Sequence, residues 1–486
     1  MESLSGRVIR SGLWMVALNV TGRLLGTVRL LVLARLLTPY DFGLVGIALV
    51  VTSLFGSFSA TGTRLALIQR KERARDLFDT AWTVGLIRGA IVAGLLLVLA
   101  PVVGMVFGSP DAVALVRVMA LIPLITGLTN IGVVEFRREL TFGPYYLLHT
   151  SGTVAELCVA VPLALWRANA WALVGGWLAL TAVRVVVSYW LHPYRPALRL
   201  DGKEAAELLG YGRWIFGSSV IAWLITDGVH AVVGRLLGVQ ALGLYQMAWR
   251  VASLPTTEVT DVISGVTVAA YAKLQDSMAR VRSAYLRVLT AVTLAAAPIA
   301  VGIGFYGEDL VRVLLGRRWG GIVPMVQVLA LAGLLRSIGA TAGPVFQGLD
   351  RPRAQTLVAF VELGLLAGLL VPLTLWMGPV GTAVAATIGG GCGAAASLWV
   401  VSRLLGIRAG ELVPILGGPL LGCLAFAILR IWVLGPLDTL IDLAGAIILS
   451  GILYLTVLVL LDRLGLYSLR PVLPSGMGHW LSRRIW

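Results

Sequence analysis

The sequence predicts an all-α polytopic membrane protein of about 14 transmembrane helices, built as two six-helix lobes related by an internal parallel repeat plus two additional C-terminal helices. Three observations carry that expectation. Of the 486 residues, 58% are hydrophobic and only 13% charged, whereas a soluble domain is about a quarter charged. The apolar residues fall into separate runs of about 20, the helical length that crosses a hydrocarbon core of ~30 Å. The chain also matches itself at an offset of 200 residues.

Apolar runs between charged or Gly/Pro breaks predict helices near 12–36, 42–62, 77–100, 112–134, 144–166, 171–191, 212–236 and 242–264. A second group follows near 283–305, 322–346, 354–377, 379–402, 412–434 and 438–461. The first run carries Arg23 and Arg29 and is too long for a cleavable signal peptide, so it is expected to be an uncleaved anchor. Short loops rich in Lys and Arg stay cytoplasmic. Alternate connections carry Arg70, Lys71, Arg73 and Arg75; Arg137 and Arg138; Arg195, Arg199 and Lys203; Lys273, Arg280 and Arg282; Arg351 and Arg353; Arg403 and Arg408. The intervening loops, such as Thr38-Pro-Tyr-Asp41, carry almost none. Both termini, with Arg7 and Arg10 at one end and Arg483 and Arg484 at the other, are therefore expected in the cytoplasm. One loop, Glu308 to Trp319, places Arg312, Arg317 and Arg318 on the expected outer side and reads as an interfacial amphipathic segment.

The repeat aligns Gly12-Leu-Trp14 with Gly212-Arg-Trp214, Arg35-Leu-Leu37 with Arg235-Leu-Leu237, Gly43-Leu44 with Gly243-Leu244 and Ser53-Leu54 with Ser253-Leu254. About 14 of roughly 43 positions agree without a gap,. An even number of helices precedes the second copy, so both copies run the same way through the membrane, and the substrate path of such a transporter lies between its halves. The expected division is 1–200 for the first lobe, 201–405 for the second, 406–465 for the two extra helices and 466–486 for a cytoplasmic tail.

Net charge is +15, and 36 of the 39 basic residues are Arg, scattered along the chain. A nucleic-acid stripe is excluded by that scatter. Seven arginines lie within expected spans, five or more residues from either end: Arg23, Arg29, Arg88, Arg117, Arg184, Arg250 and Arg336. At a lipid-facing helix centre each would cost ~2.5–3.5 kcal/mol, so most must face protein or water. Arg117 and Arg184 lie close enough to a span end to snorkel. Arg23, Arg88 and Arg250 lie deeper, either in a water-filled cavity or paired with carboxylates. Asn19 and Arg23 share one helix face, and Gly22 and Gly26 permit a bend that would bring Arg29 inward as well. On the eighth span Gln246, Arg250 and Asp261 fall on one stripe, because 11 residues is close to three full turns, and Asp227 and His230 form another polar face. Glu156 and Glu362, each alone in an apolar helix, are either partners of arginines or proton-binding sites.

Guanidinium groups in a low-dielectric, hydrated cavity suit an anionic amphiphile, because their forks bind phosphate oxygens bidentately. A lipid carrying a diphosphate-linked sugar fits; a neutral or cationic drug fits less well. Motifs for other chemistry are missing. Gly202-Lys203 is followed by Glu204, so there is no Walker A loop, and no H-E-x-x-H or nucleophile elbow occurs. Cys158, Cys392 and Cys423 sit in separate apolar runs with neither disulfide nor zinc spacing. Gly389-Gly-Gly391-Cys-Gly393 lies in an apolar span and reads as a helix-packing run. No cofactor and no metal are expected, and any energy source must be an ion gradient, the membrane potential or the substrate's own gradient.

Four stretches carry a resemblance: Ala34-Arg-Leu-Leu-Thr-Pro-Tyr-Asp-Phe-Gly43, Ala66-Leu-Ile-Gln-Arg-Lys71, Glu135-Phe-Arg-Arg-Glu-Leu-Thr-Phe142 and Gly234-Arg-Leu-Leu-Gly-Val-Gln-Ala-Leu-Gly-Leu-Tyr245. They resemble the polysaccharide-transporter (oligosaccharide flippase) branch of the multidrug/oligosaccharidyl-lipid/polysaccharide exporter superfamily, to about residue 405. The resemblance implies a 14-helix fold opening alternately to either side of the bacterial cytoplasmic (inner) membrane. It also implies transport of undecaprenyl-diphosphate-linked oligosaccharide from the inner to the outer leaflet. Cavity arginines of the first, third and eighth helices hold the diphosphate in relatives, and Arg23, Arg29, Arg88 and Arg250 occupy comparable spans here. The partners implied are the lipid-linked oligosaccharide, membrane lipids, and a polysaccharide polymerase and glycosyltransferases, with the chain a monomer that binds no nucleic acid. Two other readings stand beside this one. A drug/cation antiporter would want an acidic, aromatic cavity, and a polytopic glycosyltransferase or polymerase would want catalytic acids on a large outer loop, where the outer loops here are short.

Overall fold

A computed structural model describes residues 4–59, 67, 75–139, 141–254, 256, 261–432, 435, 437–464 and 467. The described residues contain helices and turns and no strand. Arg70, Lys71, Arg73, the tail with Arg483 and Arg484, and most of the Ala66–Lys71 stretch lie outside them. The chain divides into two compact units, Met1–Gly243 and Leu244–Trp486.

The first unit begins with α1 (Leu4–Leu36), α2 (Pro39–Phe58), α3 (Phe78–Val106), α4 (Pro110–Met119) and α5 (Leu121–Gly127). It continues with α6 (Val134–Arg138), α7 (Phe142–Trp166), α8 (Trp171–Leu191), α9 (Gly202–Ile225) and α10 (Asp227–Leu237). The turn Thr38-Pro-Tyr-Asp41 is a capping box that starts α2. The Asp41 carboxylate accepts from the Thr38 N–H at 2.9 Å, the Thr38 hydroxyl accepts from the Asp41 N–H at 3.3 Å, and proline stands at the first turn, satisfying donors a helix start leaves open. α1 and α7 run parallel: Trp14 stacks beside Tyr146 with centroids 5.3 Å apart, Arg29 meets Glu156, and Leu33 and Leu37 pack with Ala160 and Ala164. α7 and α8 form a close antiparallel pair across small residues. A Cβ on Gly176 would lie 2.8 Å from the Ala160 methyl, a spacing that only small side chains allow between membrane helices. The unit extends past the expected lobe boundary at 200 because α9 and α10 both pack on α2.

α11 (Val239–Ala252) begins at the end of this unit. Its first turn crosses the first turn of α2 at backbone distance: Gly43 lies against the Val239 carbonyl, and Gly243 lies against the Pro39 carbonyl. The two contacts exchange under the same 200-residue offset that relates Gly43-Leu44 to Gly243-Leu244.

The second unit contains α12 (Asp261–Leu274), α13 (Met278–Leu310), α14 (Val323–Ala340), α15 (Ala342–Gly348), α16 (Pro352–Leu405), α17 (Ala409–Trp432) and α18 (Leu440–Arg463). Its core holds Tyr271, Tyr285, Tyr306, Phe346, Phe426 and Tyr454. Buried phenols seek partners, and two of these fasten α18 to α13. Tyr306 and Ser450 share a hydrogen bond of 2.6 Å, and Tyr454 donates to the Leu294 carbonyl at 2.8 Å.

Eleven helices among the described residues are long and apolar enough to cross a membrane, or twelve when a pair bent by 42° at Thr226 counts as one. Two places separate this number from the expected one. α16 is 54 residues long, which as a straight rod would reach about 80 Å, well beyond a bilayer. It turns back at Gly378, whose φ of 62° suits glycine,. The Thr374 and Thr382 hydroxyls then meet at 2.8 Å, and Gly389 sits beside Leu366, so limbs 352–377 and 379–405 run antiparallel. The expected eighth span, 242–264, is not one helix: α11 ends at Ala252, α12 starts at Asp261, and residues 255 and 257–260 of that interval lie outside the described set. The proposed stripe of Gln246, Arg250 and Asp261 is thereby corrected, since Asp261 belongs to a different helix from the other two.

The segment after α13 also departs from expectation. A π-helical turn (Val311–Leu315), followed by a 3₁₀ turn (Arg317–Ile322), is tied inward by Asp309, which is 1% exposed. Its carboxylate receives Arg312 at 2.8 Å and Arg430 at 2.8 Å, and Arg312 also reaches Asp438 at 3.4 Å. Arg312 is thus neutralised by carboxylates and does not lie free on a lipid surface.

Candidate functional site

Two of the arginines in expected spans meet carboxylates. Arg29 and Arg336 are paired. Arg29, 18% exposed, donates to Glu156, 5% exposed, across the α1–α7 contact. Arg336 on α14 donates to Glu362 on α16 at 2.9 Å, and its guanidinium carbon stands 4.9 Å from the Trp249 ring centre. Both lone carboxylates of the sequence therefore have an arginine partner. The Gly389–Gly393 run explains how the second pair fits. A Cβ on Gly393 would lie 2.9 Å from Glu362 Oε2, and one on Gly390 would lie 3.4 Å from Arg336 Nε. The glycines form a groove that admits the ion pair.

Arg88 on α3 donates from Nε to the Ser59 hydroxyl at 2.9 Å and from Nη2 to the Gly56 carbonyl at 3.0 Å. Those oxygens close the C-terminal end of α2, where unpaired carbonyls and the helix dipole both favour a cation. Arg23 is half-buried on α1, one turn from Asn19, which is exposed. Arg250 is exposed at the end of α11, and among the described residues no carboxylate pairs with it. Gln246, one turn earlier, is half-buried. Asp227 opens α10, and its carboxylate lies 3.8 Å from His230 Nδ1, where a negative charge also suits the helix start.

Sequence reasoning missed a polar cluster at the expected cytoplasmic end of the first unit. Glu135 on α6, only 7% exposed at its side chain, receives Arg75 Nη2 at 2.9 Å and lies 3.1 Å from His192 Nε2. Burial works against its charge, but Arg75 and His192 outweigh that penalty and hold its carboxyl below the usual range,. Tyr194 donates to Asp79 at 2.6 Å, and burial together with that carboxylate pushes its phenol above the ordinary value. Asn130 donates to the Tyr194 carbonyl at 2.7 Å. These bonds clamp the connection between α8 and α9 against α3 and α6. Glu135 lies in a short, charged stretch that gives no periodic signal of burial.

Known proteins are similar to this chain. Residues 32–324 match the family described as Polysaccharide biosynthesis protein. The lipopolysaccharide biosynthesis protein WzxC of Escherichia coli (strain K12) is 27% identical over 390 residues, 80% of this chain and 78% of WzxC. The succinoglycan biosynthesis transport protein ExoT of Rhizobium meliloti (strain 1021) is 24% identical over 356 residues, 71% of this chain and 72% of ExoT. Among solved structures, the lipid II flippase MurJ in an inward closed conformation superposes with a TM-score of 0.76 at 14% identity, over 93% of this chain and 99% of MurJ. An inward-facing multidrug resistance MATE family transporter superposes with a TM-score of 0.64 at 18% identity, over 79% of this chain and 95% of the transporter. These superpositions establish a shared helical fold. With well over half of its length inside the family match, the chain belongs to the polysaccharide biosynthesis protein family, in the polysaccharide-transporter branch of the multidrug/oligosaccharidyl-lipid/polysaccharide exporter superfamily.

Proposed function

We propose that this protein is a flippase that moves an undecaprenyl-diphosphate-linked oligosaccharide from the inner to the outer leaflet of the bacterial cytoplasmic membrane by alternating access. Two six-helix lobes, 1–200 and 201–405, would rock about a central chamber, with both termini in the cytoplasm. The observation that carries the reading is Arg250: a guanidinium within an expected span with no carboxylate partner among the described residues, in a chain of this family. Holding such a charge at membrane depth is costly, and an anionic substrate offsets that cost each time it binds.

Crossing a hydrocarbon core strips a diphosphate of water, and charge-assisted hydrogen bonds from guanidinium forks replace that hydration. Arg250, Arg23 and Arg88 would share the phosphate oxygens. Arg29 contributes less, because Glu156 already balances its charge; the same argument makes Glu156 and Glu362 weak candidates for proton uptake. The lipid chains would remain in the bilayer while the head group passes through the chamber. Glycosyltransferases would supply the substrate, a polymerase would consume it, and the transporter would act as a monomer.

The test is glycan export in a host lacking its own flippase, with Arg250→Ala, Arg250→Lys and Arg23→Ala. Export should fall at least tenfold in the alanine variants at unchanged membrane abundance, and lysine should restore part of it because it keeps charge but not the bidentate fork. Wild-type export by Arg250→Ala and Arg23→Ala would overturn the diphosphate role. Collapse of the proton gradient in vesicles, with transport unchanged, would exclude proton drive.

A further inference from the structure

A cavity of about 220 Å³ opens at the expected cytoplasmic ends of α5, α7 and α8, away from the arginines assigned above. Arg137 and Arg184 supply its charge, with Tyr145, His149, Thr129 and Thr181 around them, and no carboxylate lines it. The ring of Tyr145 lies 4.4 Å from that of His149, and the Arg137 guanidinium carbon stands 6.0 Å from the Tyr145 ring centre.

Arg184 is held by the packing of its stem. A Cβ on Gly152 would lie 2.7 Å from its Cγ, so the glycine makes the channel through which the side chain crosses α7. Its Nη2 makes a long contact of 3.4 Å to the His149 carbonyl, and its Nε is buried with no acceptor. Buried donors are almost always satisfied, and among the described residues no carboxylate pairs with Arg184. Arg184 lies seven residues before the end of α8 at Leu191, about 10 Å along the helix axis. Arg137 lies outside the span, and Leu148 and Leu180 complete the wall. The cavity thus offers two forked cations and several hydroxyls toward the expected cytoplasmic end of α8, beside apolar surface.

The geometry points to a binding site for a phosphate group, and specifically for the phosphodiester of an anionic phospholipid in the cytoplasmic leaflet. The terminal guanidinium nitrogens of Arg184, and Arg137 from the rim, face the phosphate oxygens, and Leu148 and Leu180 take the start of the acyl chains. This site does not depend on the flippase reading, since it uses none of the residues of the proposed chamber.

The test is native mass spectrometry of the full-length protein released from nanodiscs of equal phosphatidylglycerol and phosphatidylcholine, with Arg184→Gln, Arg137→Gln and, as a control outside the cavity, Arg117→Gln. The wild type and Arg117→Gln should retain phosphatidylglycerol over phosphatidylcholine. Arg184→Gln should weaken that preference about tenfold, the effect of losing a charge-assisted bond. Arg137→Gln, on an exposed connecting helix, should weaken it less and keeps the test open if Arg184→Gln fails to insert. A preference unchanged in the inserted variants overturns the site. Displacement of phosphatidylglycerol by millimolar inorganic phosphate overturns the lipid assignment and gives the pocket to the free anion.

Discussion

Alanine in place of Gly43 or Gly243 challenges the closest helix crossing of the first unit. A Cβ on Gly43 would lie 2.8 Å from the Val239 carbonyl carbon and 2.9 Å from Val239 Cγ1; one on Gly243 would lie 2.8 Å from Gly43 N and 2.9 Å from the Pro39 carbonyl carbon. Ordinary contact begins at 3.4 Å, so each methyl group demands a separation of about 0.6 Å at the carbons and more at the oxygens. The obstructing atoms are backbone, which cannot turn aside as a side chain can. The starts of α2 and α11 must move apart as rigid pieces, and forced overpacking of this kind costs about 1–3 kcal/mol. Both substitutions press on one contact, so the second should cost less once the first has opened it. Thermal unfolding of the purified protein in mild detergent measures each loss and their coupling. Wild-type stability in either single variant, or losses that add to within about 0.3–0.5 kcal/mol in the double variant, would refute the reasoning.

Glu156→Gln leaves Arg29 without its balancing carboxylate and should cost about 3–5 kcal/mol, the range for breaking a buried pair. Arg29→Gln combined with Glu156→Gln should recover much of that loss; a double variant no better than Glu156→Gln alone would show that the pair's charge is not what matters. Acid should loosen the cytoplasmic cluster through Glu135. Its folded-state carboxyl is held below the ordinary value of 4.5, so its stabilisation is complete above that pH and fades as pH falls through the lowered value. Glu135→Gln should flatten the acid limb of a stability-against-pH curve, and an unchanged limb would count against the cluster.

The contrast among the arginines separates scaffold from candidate machinery. Arg29, Arg336, Arg312 and Arg430 meet carboxylates, which makes them part of the helix packing. Arg88 closes a helix end, a role compatible with a second one toward an anion. Arg250 and Arg184 have no carboxylate among the described residues. Both are offered to phosphate here, in different places and for different reasons.

Much of the fold was legible in the sequence because membrane solvation is a strong and local constraint. Every backbone group in hydrocarbon must be satisfied within its own helix, so an apolar run of sufficient length declares a helix regardless of its neighbours. The turn at Gly378, the capping box at Thr38 and the packing role of Gly389–Gly393 could be read the same way, from residue types that only suit those positions. The break between Ala252 and Asp261 was not legible, because an apolar run interrupted by one proline reads almost like one without it. Buried carboxylates were the other blind spot: Asp309 and Glu135 lie near span ends, where a charge is ordinarily solvated.

The sequence by itself determined that the chain is a bundle of apolar helices, where most of them begin and end, and which ionisable groups lie within the apolar runs. Those properties follow from the free energy of moving each side chain out of water, which is summed along the chain. Only the tertiary structure decided which guanidinium meets which carboxylate. Arg29 and Glu156 are 127 residues apart, and whether a buried charge is neutralised or left to bind an anion depends on a few ångströms between helices that no local pattern encodes.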